Sequence, residues 1–413
     1  MQGGHVDSYT DPSSGRIYEY GVQNFVDVGN AIGFFERMGV PYGPPGPRIP
    51  LTTRYVDFTT AETVGFKPPA SDAQRAALER FLGAVEPYEH LFATGYWEWP
   101  AGEDVPEDLM MPFGEFAQKY DFVDALPLIY RITGYGTGDI SQGVTLYVLQ
   151  AYGAFMARNF FGEIGALVAA SGRNQDLYDA VGEHLGGDVL YSSTVVSSER
   201  TIDGITLTVQ NNENGDETVI RAKKLLLAIE PHAQNLEPFN PTEAEANVFS
   251  KFDYVRILTG IVHNTALPVN QSLFNIPKAA EPNNYFAYQN LPFQARFDYM
   301  AEDHFRVLMI GDRTTDVSSA KDIVQENFDR LINGGILPSP EGSSSLEWIV
   351  FADHGHMHAR VSGEELRKGF ITEQYALQGR QSTWYTGAAF AAQFQTSLWQ
   401  YNDVLLPRLV ESM

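Results

Sequence analysis

The spacing of apolar residues along the chain changes period several times, and each change marks an element. "RIYEYGVQNFV" (16–26) has the β-branched and aromatic content of a strand and turn, and "NAIGFFERMGV" reads as a short helix ending at Gly39. A punctuated loop, "PYGPPGPRIP", follows at 41–50. From Ser71, a candidate N-cap, "SDAQRAALERFLGAVEPYEHLF" spaces Ala, Leu and Phe as a helix does. Helical material continues from about 106 to 162, interrupted by a glycine cluster at 134–139 that reads as a loop.

The pattern then shifts. Residues 174–187 place Leu177, Ala180, Val181 and Leu185 on one helical face, with glycine at the end. Ile205, Leu207 and Val209 alternate, which is the period of a strand, between turns at Asp203-Gly204 and Asn214-Gly215. "LLLAI" (225–229) is a continuous apolar run, the signature of a strand buried on both faces. Residues 240–340 mix strands ("YVRILTGIVH", "FRVLMIG") with a helix near 319–333. "STWYTGAAF" reads as a strand running to Gly387, and "QTSLWQYNDVLLPRLV" as a closing helix. Elements of one layer are thus interleaved with elements of another. The expected class is α/β: a nucleotide-binding layer interrupted by insertions, rather than two consecutive domains.

Composition adds limits. The 413 residues are 44% apolar, enough for a large core and about two domains. A net charge of -24, spread along the chain, repels phosphate, so no nucleic-acid partner is expected. There is no cysteine, which removes disulfides, thiolate metal sites and cysteine nucleophiles. No stretch approaches the ~20 apolar residues of a membrane helix. The N-terminus has neither a basic segment nor an apolar core, so the chain as written reads as soluble and cytoplasmic. A signal peptide upstream of Met1 would make it secretory, and only then would the sequon Asn270-Gln271-Ser272 matter.

Motifs for phosphate loops, serine-hydrolase elbows, zinc proteases and dinucleotide turns are all missing. "DHGHMHAR" sets His354, His356 and His358 at alternate positions, which on a regular strand share one face. Such neighbours stand about 6–7 Å apart and no fourth ligand is evident. A histidine-based metal protein is therefore an alternative, and no metal is expected. Two features are more suggestive. Gly3-Gly4 is a pair suited to skirting something bulky. A helix starting near Gln395-Thr396-Ser397 aims free N–H groups back at the preceding strand, where they stabilise electron-rich ligand atoms.

Three ordered segments carry a resemblance. They are "GGHVDSYTDPSSGRIYEYGVQNF", "GRNQDLYDAVGEHLGGDVLYSSTVVSSERTIDGITLTV…RAKKLLLAIEP" and "YALQGRQSTWYTGAAFAAQFQTSLWQYNDVLLPRL". On these the chain resembles the flavin-containing amine oxidase superfamily. It is most like its fungal β-cyclopiazonate dehydrogenase branch, and more distantly like polyenoic fatty acid isomerases. The resemblance implies FAD as cofactor and an FAD/NAD(P)-binding Rossmann-like domain made of 1–50, 165–235 and 350–413, interleaved with an α+β substrate domain of 51–164 and 236–349. It implies that Gly3, Gly4 and His5 lie near the FAD pyrophosphate and ring, and that Gly21, Val22 and Gln23 line the flavin. Val195 would meet the adenine through its backbone. Gly387 and Ala388 would pass the pyrophosphate, and Thr396, Ser397 and Leu398 would offer N–H groups to flavin N1 and O2. Trp384, Tyr385 and Phe390 are candidate pocket walls.

The family's opening strand, its G-x-G-x-x-G turn and its ribose-binding acid do not occur in the chain, so the layer is expected to be incomplete at its N-terminus. The acid often found two residues after the last glycine is Ala389 here, and no catalytic acid or base is assigned. The implied activity is removal of hydride from a small apolar or nitrogen-containing substrate in fungal secondary metabolism, with O₂ or another acceptor. The alternatives are a truncated relative that binds no FAD and a flavin-dependent fatty-acid double-bond isomerase.

Overall fold

The computed structural model describes residues 3–132 and 138–413. The glycine-cluster loop read at 134–139 lies outside them up to residue 137.

A seven-stranded sheet forms the largest layer. Its order is Glu347–Arg360, Asp253–His263, His304–Gly311, Phe293–Ala301, Gln271–Asn275, Thr52–Asp57 and Glu62–Thr63. All neighbours are antiparallel except Gln271–Asn275, which runs parallel to Thr52–Asp57. The pleat sends successive residues to opposite sides. Leu273 and Met309 join Leu258, Phe297 and Val307 under the helix Val317–Asn333. Their neighbours Phe274 and Ile310 join the larger core on the other side, with Leu78, Phe81, Phe113, Phe116 and Tyr152 from the helical segments. Helix Val317–Asn333 starts at a capping box between Asp316 and Ser319, which satisfies free N–H groups and contributes about 1 kcal/mol.

The rest of the chain builds a second region. Helices Ala31–Met38 and Gln175–Leu185 share a core of Val6, Phe25, Ala31, Phe35, Leu167 and Leu177. Gly39 ends the first of these at φ +68, a conformation that glycine adopts without strain. Strands Ser193–Arg200, Ile205–Asn211 and Glu217–Ala222 make an antiparallel meander. Leu225–Leu227 pairs in parallel with Thr383–Tyr385, and the helix Gln395–Glu411 closes the chain.

Some local readings change. Helix 71–85 begins at Ser71 itself, with Ala70 in the cap position. The run "LLLAI" is a three-residue strand, Leu225–Leu227, of which only Leu227 is fully buried. Among the described residues it has one strand neighbour, Thr383–Tyr385. The closing strand is also shorter than its apolar pattern, because Gly387 turns the chain away at φ +112. No described helix is long and apolar enough to cross a membrane.

Candidate functional site

The N-terminal loop is pinned from two sides. The Gly3 carbonyl accepts from Val6 N at 3.1 Å and from Gln395 Nε2 at 3.4 Å. Gly3 sits at φ +102 against the Tyr178 ring, where a Cβ would come within 2.9 Å. Gly4, at φ +57, has open space beside it. The His5 carbonyl accepts from Val22 N at 3.0 Å, and the Asp7 carbonyl accepts from Tyr20 N and Gly21 N. A Cβ on Gly21 would lie 2.2 Å from the His5 oxygen, so only glycine permits this contact. Val22 O accepts from Asn174 Nδ2 at 3.1 Å, and Gln23 follows it, half-buried. Gly3, Gly4, His5, Gly21, Val22 and the start of the closing helix are therefore one assembly.

The closing helix has no side-chain cap at Phe394. The Thr396 hydroxyl and both amide atoms of Gln393 are buried, and within the described structure they have no hydrogen-bond partner. An unmet buried polar atom costs about 1–3 kcal/mol, so a cluster of them beside a helix N-terminus implies a polar ligand. Ser397 is buried, and Leu398 packs against the main core. Gly387 is open on its side-chain face, and Thr386, just before it, donates through Oγ1 to Asn402 Oδ1 of the same helix at 2.6 Å. Ala388 follows, half-buried. Free helix N–H groups, unpaired amide and hydroxyl atoms, and two open glycine faces are a donor set that fits a flavin dinucleotide.

The three histidines of strand Glu347–Arg360 do not share a face. Two bulges break the alternation: His354 and Gly355 stand opposite Ile257 alone, and His358 and Ala359 opposite Tyr254 alone. Gly355 takes φ +72 and His358 φ +55. His354 turns to Asp7, with Nε2 donating to Oδ2 at 2.7 Å, and stacks on His5 at 4.7 Å. His356 meets His232 at 4.4 Å and Tyr254 at 5.7 Å. His358 is buried, and its pKa falls to about 3 through burial and then the charge of Arg360. Among the described residues no group of three or more His, Asp or Glu side chains is arranged to hold a metal.

Sequence reasoning missed Asp7, Glu230 and Gln393, and read His354 only as part of a histidine row. Glu230 follows strand Leu225–Leu227, and burial pushes its carboxyl up to about 8. Its Oε2 and the nearby Tyr254 hydroxyl are buried, and neither finds a partner in the described structure. A signal was present: an acid directly after an apolar run ends up near the carboxyl edge of a strand, where α/β sheets bind ligands.

Other candidates lie apart. Val195 is on the meander beside a bulge, packed on the main core. Tyr385 stacks on Phe390 and donates to Glu245, which also pairs with Arg200 at 2.7 Å. Trp384 packs on Gly379. None of these three aromatics lines the small cavity formed by Tyr55, Phe66, Tyr130, Phe274, Tyr285 and Tyr288.

Comparison with known proteins gives the lineage. No family model matches the chain. β-Cyclopiazonate dehydrogenase of Aspergillus flavus is 30% identical over 415 residues, covering 99% of this chain and 86% of that protein. The FAD-dependent oxidoreductase pigF of Monascus ruber is 31% identical, covering 100% and 85%. Among solved structures, a CLA-producing fatty acid isomerase from P. acnes matches with TM-score 0.70 at 18% identity, over 98% of this chain and 90% of that one. Putrescine oxidase bound to putrescine matches with TM-score 0.59 at 12% identity, over 99% and 91%. At those identities the structures establish the fold alone. The chain belongs to the β-cyclopiazonate dehydrogenase family, FAD-dependent oxidoreductases built on the flavin amine oxidase fold.

Proposed function

We propose that this oxidoreductase removes hydride from a C–H bond next to nitrogen, or from another activated carbon, of a small apolar substrate. O₂ or another acceptor then completes the turnover. FAD, when bound, supplies the two-electron acceptor. The observation that carries the reading is the set of unpaired polar atoms at Gln393 and Thr396, beside the uncapped helix that also touches Gly3. Names of relatives add support: one is a dehydrogenase and others are FAD-dependent oxidoreductases, from Aspergillus and Monascus. That company favours a role in fungal secondary metabolism.

Each part of the chain has a task in this reading. Segments 1–50, 165–235 and 350–413 hold the cofactor, and 51–164 with 236–349 hold the substrate. N–H groups at Thr396 and Ser397 stabilise negative charge at the flavin pyrimidine edge, whereas the Leu398 N–H expected to join them already donates to the Phe394 carbonyl at 2.9 Å. Gly3, Gly4, Gly387 and Ala388 let the backbone pass close to the pyrophosphate, and Val195 meets the adenine. Gly21, Val22 and Gln23 line the ring.

Purified protein incubated with FAD and desalted should keep flavin absorbance, and an amine or alkaloid substrate should bleach it under anaerobic conditions. Protein that stays colourless after FAD incubation refutes the reading. Anaerobic conversion without bleaching, giving a shifted double bond, would replace oxidation with isomerisation.

A further inference from the structure

The bulge at Gly355 has a chemical consequence. A regular strand would point His354 and His356 the same way. The extra residue turns His354 toward the N-terminal loop instead, and bulges commonly re-aim side chains beside active sites. There it meets Asp7, a residue only 8% exposed. Asp7 forms no ion pair with lysine or arginine, and His354 is the only histidine paired with a carboxylate among the described residues. A carboxylate only accepts hydrogen bonds, so the proton between them sits on His354 Nε2. That tautomer leaves the Nδ1 lone pair available.

His5 fixes the other side. Its Nε2 lies 3.1 Å from the His354 carbonyl and so carries the proton, and its ring stacks on His354 at an interplanar angle of 27°. Burial first, and His354 second, push the His5 pKa down to about 4, so His5 stays neutral. The groups that face this pair are Tyr20 and Asp7 from the N-terminal segment, and Asp353, with its partner Arg256, and His358 from the sheet. Asp353 is engaged by Arg256, which leaves Asp7 as the carboxylate that orients the ring. His5 is also the residue after Gly3-Gly4, so the pair adjoins the loop assigned above to the cofactor.

We propose that His354, oriented by Asp7, is the proton acceptor of this site. The role rests on the oxidative reading of the previous subsection. In the oxidation of an H–C–N–H unit, the C–H bond breaks with both electrons leaving to oxidised FAD. A nitrogen lone pair closes the C=N bond, the N–H bond breaks, and its proton moves to His354 Nδ1. Asp7 is a positioning residue that holds the tautomer, and it stabilises the imidazolium that forms. Base catalysis of this kind accelerates proton transfer by about 10²–10⁴-fold.

Two measurements test this on the full chain. In the first, imidazole ¹⁵N spectra are recorded without cofactor. The wild type should show His354, like His5, held as the Nε2–H tautomer. Asp7→Asn should release it to a mixture, and Asp7→Glu should restore it. An unchanged His354 signal in Asp7→Asn overturns the pairing, whatever becomes of the flavin. In the second, the visible spectrum of bound FAD is followed across pH. The wild type should show a transition that His354→Gln abolishes. A transition that persists in His354→Gln, or a wild-type spectrum that does not change with pH, overturns the role at the flavin. Failure of the wild type to take up FAD refutes the oxidoreductase reading instead, and the first measurement still decides the dyad.

Discussion

Glu230 should make the protein less stable as pH rises. Its carboxyl titrates at about 8 in the fold, against 4.5 in a free glutamate, because burial penalises the charge. Below about 4.5 the folded and unfolded chains both hold the proton, and the site costs nothing. Between 4.5 and 8 the unfolded chain releases the proton while the folded chain keeps it, so stability falls with rising pH. Above that window the loss is constant. At about 1.36 kcal/mol per pH unit, the displacement corresponds to roughly 5 kcal/mol in full. Glu230 is only half-buried as a residue, and solvent reaching it halves this to about 2 kcal/mol. Glu230→Gln keeps the shape and removes the titration. Urea unfolding of both proteins at about pH 5 and about pH 8.5 should show the variant gaining about 2 kcal/mol on the wild type between the two conditions. An equal stability difference at both pH values would refute the claim that the fold holds this carboxyl in its acid form.

Three further outcomes are expected. Gly21→Ala should cost about 1–3 kcal/mol and lower flavin retention, because its Cβ would overlap the His5 carbonyl; a variant with unchanged melting and absorbance contradicts the packing of the loop. Thr396→Val removes a buried hydroxyl that lacks a protein partner, so cofactor-free melting should hold or rise while the Kd for FAD rises about tenfold by equilibrium dialysis. Weaker melting with unchanged FAD affinity would show that the hydroxyl serves the fold. Glu245→Ala strands the buried Arg200 guanidinium and should cost about 3–5 kcal/mol in urea unfolding, whereas replacing the pair with Met and Leu should recover most of it; a single-variant cost below about 1 kcal/mol would count against a desolvated pair.

Much of the architecture was legible because period and punctuation agreed. Helix Ala31–Met38 ends at the glycine that its pattern named, and Ile205, Leu207 and Val209 alternate toward the core. The closing strand and helix were readable for the same reason. The histidine row was misread because alternation holds only on a regular strand, and nothing in "DHGHMHAR" states that Gly355 and His358 will each add a residue to the ladder. Asp7 looks like an ordinary surface acid, since burial is a property of its neighbours, and Glu230 is marked only by its place directly after an apolar run. Gln393 carries no local signal, because its importance lies in lacking a partner.

Of the three irregularities on strand Glu347–Arg360, the two beside Gly355 and His358 cancel in one respect. The first shifts the pleat by one residue, and the second shifts it back before Arg360 pairs with Asp253. The segment between them is inverted relative to the residues immediately before and after it, like a short word set backwards in a line. Length changes here should therefore be tolerated only in pairs. Loss of Gly355 alone would flip every later side chain through Arg360, exposing core positions such as Ala359. Losing one residue at each bulge would leave the outer ladder in phase and erase only the chemistry between. On the proposed role of His354, a paired deletion would remove the proton acceptor and keep the sheet.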